Sequence, residues 1–236
     1  MIFDQREQLD RDGFVIIENA IDDDTVAILR AAIDGASESG AIKRRGSAYA
    51  MRNLIEAVPA VRGLADSQPV RNILAKFMDR HPFVVRAILF DKIPDANWYV
   101  GWHQDRAIAV AERCDVAGFG PWSVKAGVPH VEPPLPVLES MVTVRVHLDD
   151  CDQTNGPLRV LAGSHRRGCL EAEQIKAMVK AGREDVCTVP VGGAVVMRPL
   201  ILHASSPSER PSRRRVLHLE FADQPLPSPL QWRANR

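Results

Sequence analysis

Met141-Val142-Thr143-Val144-Arg145-Val146-His147-Leu148 alternates apolar and polar side chains without a break. Successive residues of a β-strand point to opposite faces, so Val142, Val144, Val146 and Leu148 form one apolar face while Thr143, Arg145 and His147 share the other. A polar face on so apolar a strand is expected to line a site. Residues 214–221 alternate in the same way, with Arg214, Val216, His218 and Glu220 on one side and Leu217, Leu219 and Phe221 on the other. A register slip of one residue would exchange those faces. From Phe83 onward, short runs of strand period are separated by Pro, Gly, Asn and Asp, which points to a mainly β jelly roll, a cupin-like double-stranded β-helix. Upstream, Phe14 to Glu18 reads as a short strand. Asp22-Asp23-Asp24 offers an N-cap for a helix through about Ser37, and Val70, Ile73, Leu74 and Phe77 predict a packing helix within Pro69–Met78. The expectation is a barrel with flanking N-terminal helices, one domain over residues 1–236.

Gly101-Trp102-His103-Gln104-Asp105 carries the chemical signal. Residues i and i+2 of a strand share a face, so His103 and Asp105 can point at a common centre. His203 ends the apolar run Leu200-Ile201-Leu202 and can complete the set from a distant strand. Two imidazoles and one carboxylate on one face of a metal leave the opposite face open, the arrangement of non-heme Fe(II) oxygenases. Eleven residues after His203 stands Arg214, whose guanidinium suits the far end of a carboxylate-bearing co-substrate.

With these residues the chain resembles the phytanoyl-CoA dioxygenase family of Fe(II)- and 2-oxoglutarate-dependent oxygenases over most of its length. The resemblance is carried by Asp12-Gly13-Phe14-Val15-Ile16, Trp102-His103-Gln104-Asp105, Asn155-Gly156-Pro157-Leu158 with Gly163-Ser164-His165, and His203-Ala204-Ser205 followed by Arg214. It implies that His103, Asp105 and His203 bind iron and that Arg214 binds the distal carboxylate of 2-oxoglutarate. It also nominates Ser205 and Lys92, the latter within Phe90-Asp91-Lys92-Ile93-Pro94, as further co-substrate residues, with O2 as second co-substrate. Two departures stand out: Arg145 where a Trp is common, which bears on how 2-oxoglutarate or substrate is seated, and Ala162 where a Pro often precedes Gly-Ser-His. Asp105 keeps the acidic ligand, so hydroxylation is expected rather than halogenation. The reading is thus a dioxygenase hydroxylating a small molecule with release of succinate and CO2. A zinc hydrolase with the same three ligands, and a non-catalytic metal- or ligand-binding jelly roll, stand as alternatives.

Bulk properties narrow the classes. The 236 residues are 45% hydrophobic, enough for a substantial core, and 30 basic residues balance 30 acidic ones. That balance gives no global field for nucleic acid or membrane surfaces, and no protein partner is evident. Cys114, Cys151, Cys169 and Cys187 are widely spaced and suggest reduced, structural thiols. No signal-peptide core or membrane span is legible, so a cytoplasmic location is expected. Residues 118–138, rich in Pro and Gly, read as a long irregular loop, either a lid or a surface loop anchored by its aromatics. Trp98, Trp102, Trp122 and Lys125 are candidates for the substrate pocket, and Lys125, Arg145 and Arg106 raise an anionic substrate group. Lys43-Arg44-Arg45-Gly46-Ser47 reads as an exposed loop, with Arg52-Asn53 beyond it in reach of the site. His147 and His218 are candidates to support the metal ligands; His81, His130 and His165 read as structural.

Overall fold

The computed structural model describes residues 4–38, 50–93, 97–210 and 212–235; the basic loop expected at Lys43–Ser47 lies outside them. Thirteen strands occur among the described residues: β1 (Phe14–Ile17), β2 (Ala50–Met51), β3 (Phe83–Lys92), β4 (Val100–His103), β5 (Ile108–Ala109), β6 (Trp122–Lys125) and β7 (Val128–Val131), then β8 (Val142–His147), β9 (Leu158–Leu161), β10 (Glu184–Cys187), β11 (Ala194–Met197), β12 (His203–Ser205) and β13 (Arg214–Ala222). Seven α-helices accompany them: α1 (Gln5–Asp12), α2 (Asp23–Glu38), α3 (Leu54–Ala57), α4 (Pro59–Ala65), α5 (Gln68–Leu74), α6 (Leu135–Ser140) and α7 (Ala172–Ala181). Antiparallel pairing gives a six-stranded sheet, β1-β11-β8-β13-β3-β2, and a four-stranded sheet, β10-β9-β12-β4. The two form the jelly roll, and a small sheet β5-β7-β6 stands beside them.

The alternation of β8 and β13 decides which face of the six-stranded sheet meets the helices. Val142, Val144, Val146, Leu217, Leu219 and Phe221 are all buried in one cluster with Leu29 and Ile33 of α2, Val61 and Leu64 of α4, and Val70 and Leu74 of α5. The polar residues of the same strands turn into the barrel. One end of the barrel interior is plugged by Val160, Val189, Val195, Met197 and Ile201; the other end holds the cavity described below, and Leu158 lies where the two meet.

Several elements differ from expectation. The helix expected to reach Met78 stops at Leu74, where the chain tightens: the amides of Lys76 and Phe77 bond to the carbonyls of Ile73 and Leu74. α1 escaped notice because Leu9 is its one buried residue, yet Asp4 caps its first turn and Gly13, at φ 84°, ends it in the left-handed conformation. Residues 118–138 are no irregular loop. They contain the β6–β7 hairpin, whose turn residues Ala126 and Gly127 both have positive φ (52° and 78°), followed by the start of α6. Paired positive φ angles suit a two-residue hairpin turn, and the surrounding prolines masked the strand pattern. All four cysteines are free. No helix among the described residues is long and apolar enough to cross a membrane.

Candidate active site

His103 and His203 are directly opposed across the β4–β12 pair, and their ring centroids lie 4.2 Å apart. Cross-strand register alone therefore makes neighbours of two histidines a hundred residues apart in sequence. Asp105 follows β4, where its backbone amide bonds to the Pro199 carbonyl at 3.0 Å. Its carboxylate oxygens stand 4.0 Å from His103 Nε2 and 3.7 Å from His203 Nε2. One donor atom from each of the three lies within 4.8 Å of the others. Each Nδ1 faces a backbone carbonyl, Gly101 at 2.8 Å for His103 and Ile201 at 2.9 Å for His203. A carbonyl only accepts, so both Nδ1 atoms carry the proton and both Nε2 lone pairs face the centre, as outer hydrogen bonds arrange in metal-binding histidines. Burial pushes the His203 pKa down to about 3, with Asp105 opposing the shift, so its ring is neutral at physiological pH. Asp105 Oδ2 is buried without a hydrogen-bond partner. Burial would raise this carboxyl, but its surroundings, the three imidazoles and the Arg86 guanidinium, hold it below the usual range and ionised. A buried, ionised, unpartnered oxygen facing two imidazole lone pairs fits a divalent cation.

Gln104, between the two proposed ligands, pins this segment. Its Nε2 donates to the carbonyls of Gly168 (2.8 Å) and Leu200 (2.7 Å), and its Oε1 accepts from the Leu170 amide (2.8 Å). Behind Asp105 runs a polar chain. Arg145 Nη1 donates to His218 Nδ1 at 2.9 Å, which leaves the His218 proton on Nε2, where it donates to Glu220 at 3.1 Å; Arg86 pairs with the same carboxylate. His218 Nε2 is also 3.8 Å from Asp105 Oδ2. Burial would raise the Glu220 carboxyl, yet Arg86 and His218 keep it ionised.

A second polar cluster lies along the same strands. Lys92 and Arg214 are paired residues of β3 and β13, and both are buried. Lys92 Nζ donates to Ser205 Oγ at 2.9 Å and to the Ser206 carbonyl. Ser205 Oγ donates to the Gly156 carbonyl at 2.9 Å, which Arg214 also engages. Gly156 is required here: its φ is 72°, and a Cβ would stand 2.5 Å from the Ser206 carbonyl oxygen and 2.7 Å from Lys92 Nζ. Among the described residues no carboxylate pairs with Lys92 or Arg214. Burial first, and Arg214 second, lower the Lys92 pKa to about 7. Two adjacent buried basic groups with no carboxylate partner among the described residues fit a ligand carboxylate.

Both clusters open into one cavity of about 370 Å³. Of the residues singled out from sequence, His103, Asp105, His203, Lys92, Ser205, Arg214, Arg145, Trp98, Lys125, Arg106 and His218 line it. Trp102 and Trp122 do not. Trp102 precedes His103 on β4 and so faces away, packing beside Leu161, Leu170 and Leu202 under the Arg159 guanidinium. Trp122 packs on the apolar cluster around Val131 and Trp232, with Arg113 over its ring. His147 shares the polar face of β8 but not the cavity wall; burial and the charges of Arg145 and Arg214 hold its pKa well below normal. Arg52 lines the cavity as expected, while Arg86, Ile88 and Phe90 were missed although the β3 alternation ending at Lys92 places them on its face.

Residues 9–216 match the family model described as phytanoyl-CoA dioxygenase (PhyH). The ectoine dioxygenase of Bordetella bronchiseptica is 27% identical over 175 residues, which cover 70% of this chain and 49% of that protein. The chain thus spans about half the length of the curated relatives it matches. Among solved structures, the non-heme α-ketoglutarate-dependent carbocyclase SnoK from nogalamycin biosynthesis aligns with a TM-score of 0.75 at 15% identity, over 99% of this chain and 87% of that one. EctD from S. alaskensis with 2-oxoglutarate and 5-hydroxyectoine aligns with a TM-score of 0.71 at 16% identity, over 100% and 84%. At these identities the two structures establish a shared fold.

Proposed function

The chain belongs to the phytanoyl-CoA dioxygenase family, and from that premise we propose that it is an Fe(II)- and 2-oxoglutarate-dependent dioxygenase that hydroxylates a small molecule with release of succinate and CO2. The observation that carries this reading is the opening of two unsatisfied clusters into one cavity: the His103–Asp105–His203 donor set and the Lys92–Ser205–Arg214 group. A zinc hydrolase needs the first and has no use for the second.

In this assignment His103 and His203 hold the metal through Nε2 and Asp105 holds it through its carboxylate. Iron with 2-oxoglutarate and O2 supplies the oxidising chemistry. The protein supplies placement. Arg214 and Lys92 hold the distal carboxylate of 2-oxoglutarate, and Ser205 orients the Lys92 ammonium. Gln104 fixes the strand end between the ligands, and the Arg145–His218–Glu220–Arg86 chain keeps the neighbourhood of Asp105 ordered and ionised. Phe90, Ile88 and Trp98 give the cavity apolar walls that restrict water. A single catalytic domain and a cytoplasmic location belong to the same proposal, supported by the extent of the family match and the four free cysteines.

Anaerobic titration of the Fe(II)-loaded protein with 2-oxoglutarate, followed through the visible metal-to-ligand charge-transfer band, tests the reading. The band should form in the wild type and should need at least about tenfold more 2-oxoglutarate in Arg214→Ala, since a bidentate charge-assisted contact is lost. No band in iron-loaded wild type would overturn the proposal and bring the hydrolase or binding-module reading forward.

A further inference from the structure

Along β3 and β13 the cavity wall has an order: Lys92 is paired with Arg214, Ile88 with His218, and Arg86 with Glu220. Six residues of strand separate Lys92 from Arg86, about 20 Å at the usual strand rise. His218, which approaches the Asp105 carboxylate, lies between them. The candidate metal centre therefore has one group of cations on each side. The Lys92–Arg214 end is assigned above to the co-substrate. The Arg86 end has no ligand in that assignment.

Most charges at this second end are matched. Arg86 is paired with Glu220, and Arg106 with Glu132 at 2.8 Å. Arg145, the cation at the cavity floor, is committed to His218 and lies over the Phe90 ring at 5.1 Å. Arg52 and Lys125 are different. Both line the cavity, and neither is paired with a carboxylate among the described residues. Burial first, and the like charge of Arg86 second, lower both pKa values, with the more distant Glu220 and Asp105 carboxylates opposing the shift without pairing.

Their placement is built by the fold. Met51 of β2 pairs with Leu89 and is buried in the core, so Arg52, next along the chain, turns the other way and into the cavity. Lys125 ends β6 at the hairpin turn, and the Asn53 side-chain amide donates to the Ala126 carbonyl at 3.5 Å. One hydrogen bond thus ties the residue after Arg52 to the residue after Lys125. Holding two like charges together at a partly desolvated cavity mouth is unfavourable unless an anion joins them.

We propose that Arg52 and Lys125 form an anion-binding subsite for the prime substrate, which therefore carries a carboxylate or another compact oxyanion held on the side of the metal centre away from 2-oxoglutarate. This rests on the dioxygenase reading for the word substrate, while the anion site itself stands on its own geometry.

The test uses para-fluorobenzoate and its neutral isostere para-fluorobenzamide as probes. The Fe(II)-loaded protein is kept anaerobic with saturating 2-oxoglutarate, and fluorine NMR follows paramagnetic line broadening. The benzoate should broaden saturably and the amide about tenfold less. Arg52→Gln/Lys125→Gln should lower benzoate affinity about tenfold or more while leaving 2-oxoglutarate affinity unchanged, since two charge-assisted contacts are lost. Lys125→Gln alone, at an exposed hairpin position, should lose several-fold on a variant whose fold is not at risk. Equal broadening by acid and amide, no saturable broadening of benzoate with 2-oxoglutarate bound, or unchanged benzoate affinity in both variants would overturn the subsite. Saturation-transfer measurements on metal-free protein separate the two proposals. Benzoate binding to metal-free protein that depends on Arg52 and Lys125, together with no charge-transfer band when the Fe(II)-loaded protein is titrated with 2-oxoglutarate, would sink the dioxygenase reading and leave the anion site standing.

Discussion

Binding of 2-oxoglutarate should draw a proton from solution onto Lys92. The side chain is 2% exposed, and burial together with Arg214 brings its pKa down from 10.5 to about 7. A carboxylate placed between Lys92 and Arg214 supplies the missing countercharge and returns that pKa toward its ordinary value. Near pH 8 the unliganded amine is then roughly one-tenth protonated and the liganded one almost fully, so binding takes up roughly nine-tenths of a proton. Near pH 6 both states are protonated and the uptake vanishes. Affinity should correspondingly weaken by about tenfold per pH unit above pH 7. Stability follows the same linkage. The lowered folded-state pKa means that the unfolded chain holds the extra proton between about pH 7 and 10.5, so the unliganded protein gains stability as pH rises through that window. Calorimetric titration with 2-oxoglutarate in two buffers of different ionisation heat, for wild type and Lys92→Met, counts the proton. Identical buffer dependence in the two proteins at pH 8 would refute the reasoning.

His203→Ala should abolish stoichiometric Fe(II) binding measured by equilibrium dialysis; retention of one tightly bound iron would remove this residue from the ligand set. Gly156→Ala places a Cβ against Lys92 Nζ and the Ser206 carbonyl in a left-handed backbone position, so 2-oxoglutarate affinity should fall at least about tenfold, as read by the charge-transfer titration. Leu219→Ala removes a fully buried side chain between the six-stranded sheet and the helices and should cost about 2–5 kcal/mol in urea unfolding while leaving the iron site intact in the folded fraction.

Two things could be read from the chain: the family's motifs, which carried Lys92, Ser205 and the iron ligands, and the faces that strand alternation encodes. The period of two in residues 141–148 and 214–221 assigned Arg145, Arg214 and His218 to the interior and the Val and Leu positions to the helix-facing core. The same rule, applied to Trp102, would have turned it away from the cavity, because it is adjacent to His103 on one strand. Trp122 could not be placed that way, since its hairpin was hidden among prolines and glycines. The direct opposition of His103 and His203, the Arg86–Glu220 pair and the approach of Arg52 to Lys125 are products of strand pairing and hairpin docking between distant segments. No local pattern reports such contacts.

The proposed iron ligands lie on or beside the four-stranded sheet, whereas Lys92, Arg145 and Arg214 project from the six-stranded one. In the proposed dioxygenase, the gap between the oxidant and the bond it attacks would therefore be governed by how far apart two walls stand. That spacing is held at the far end of the barrel by an apolar plug in which Val160 meets Val195 and Met197. Side chains that touch neither metal nor ligand thus act as shims, and a change in their volume would retune which carbon of a bound molecule comes within range.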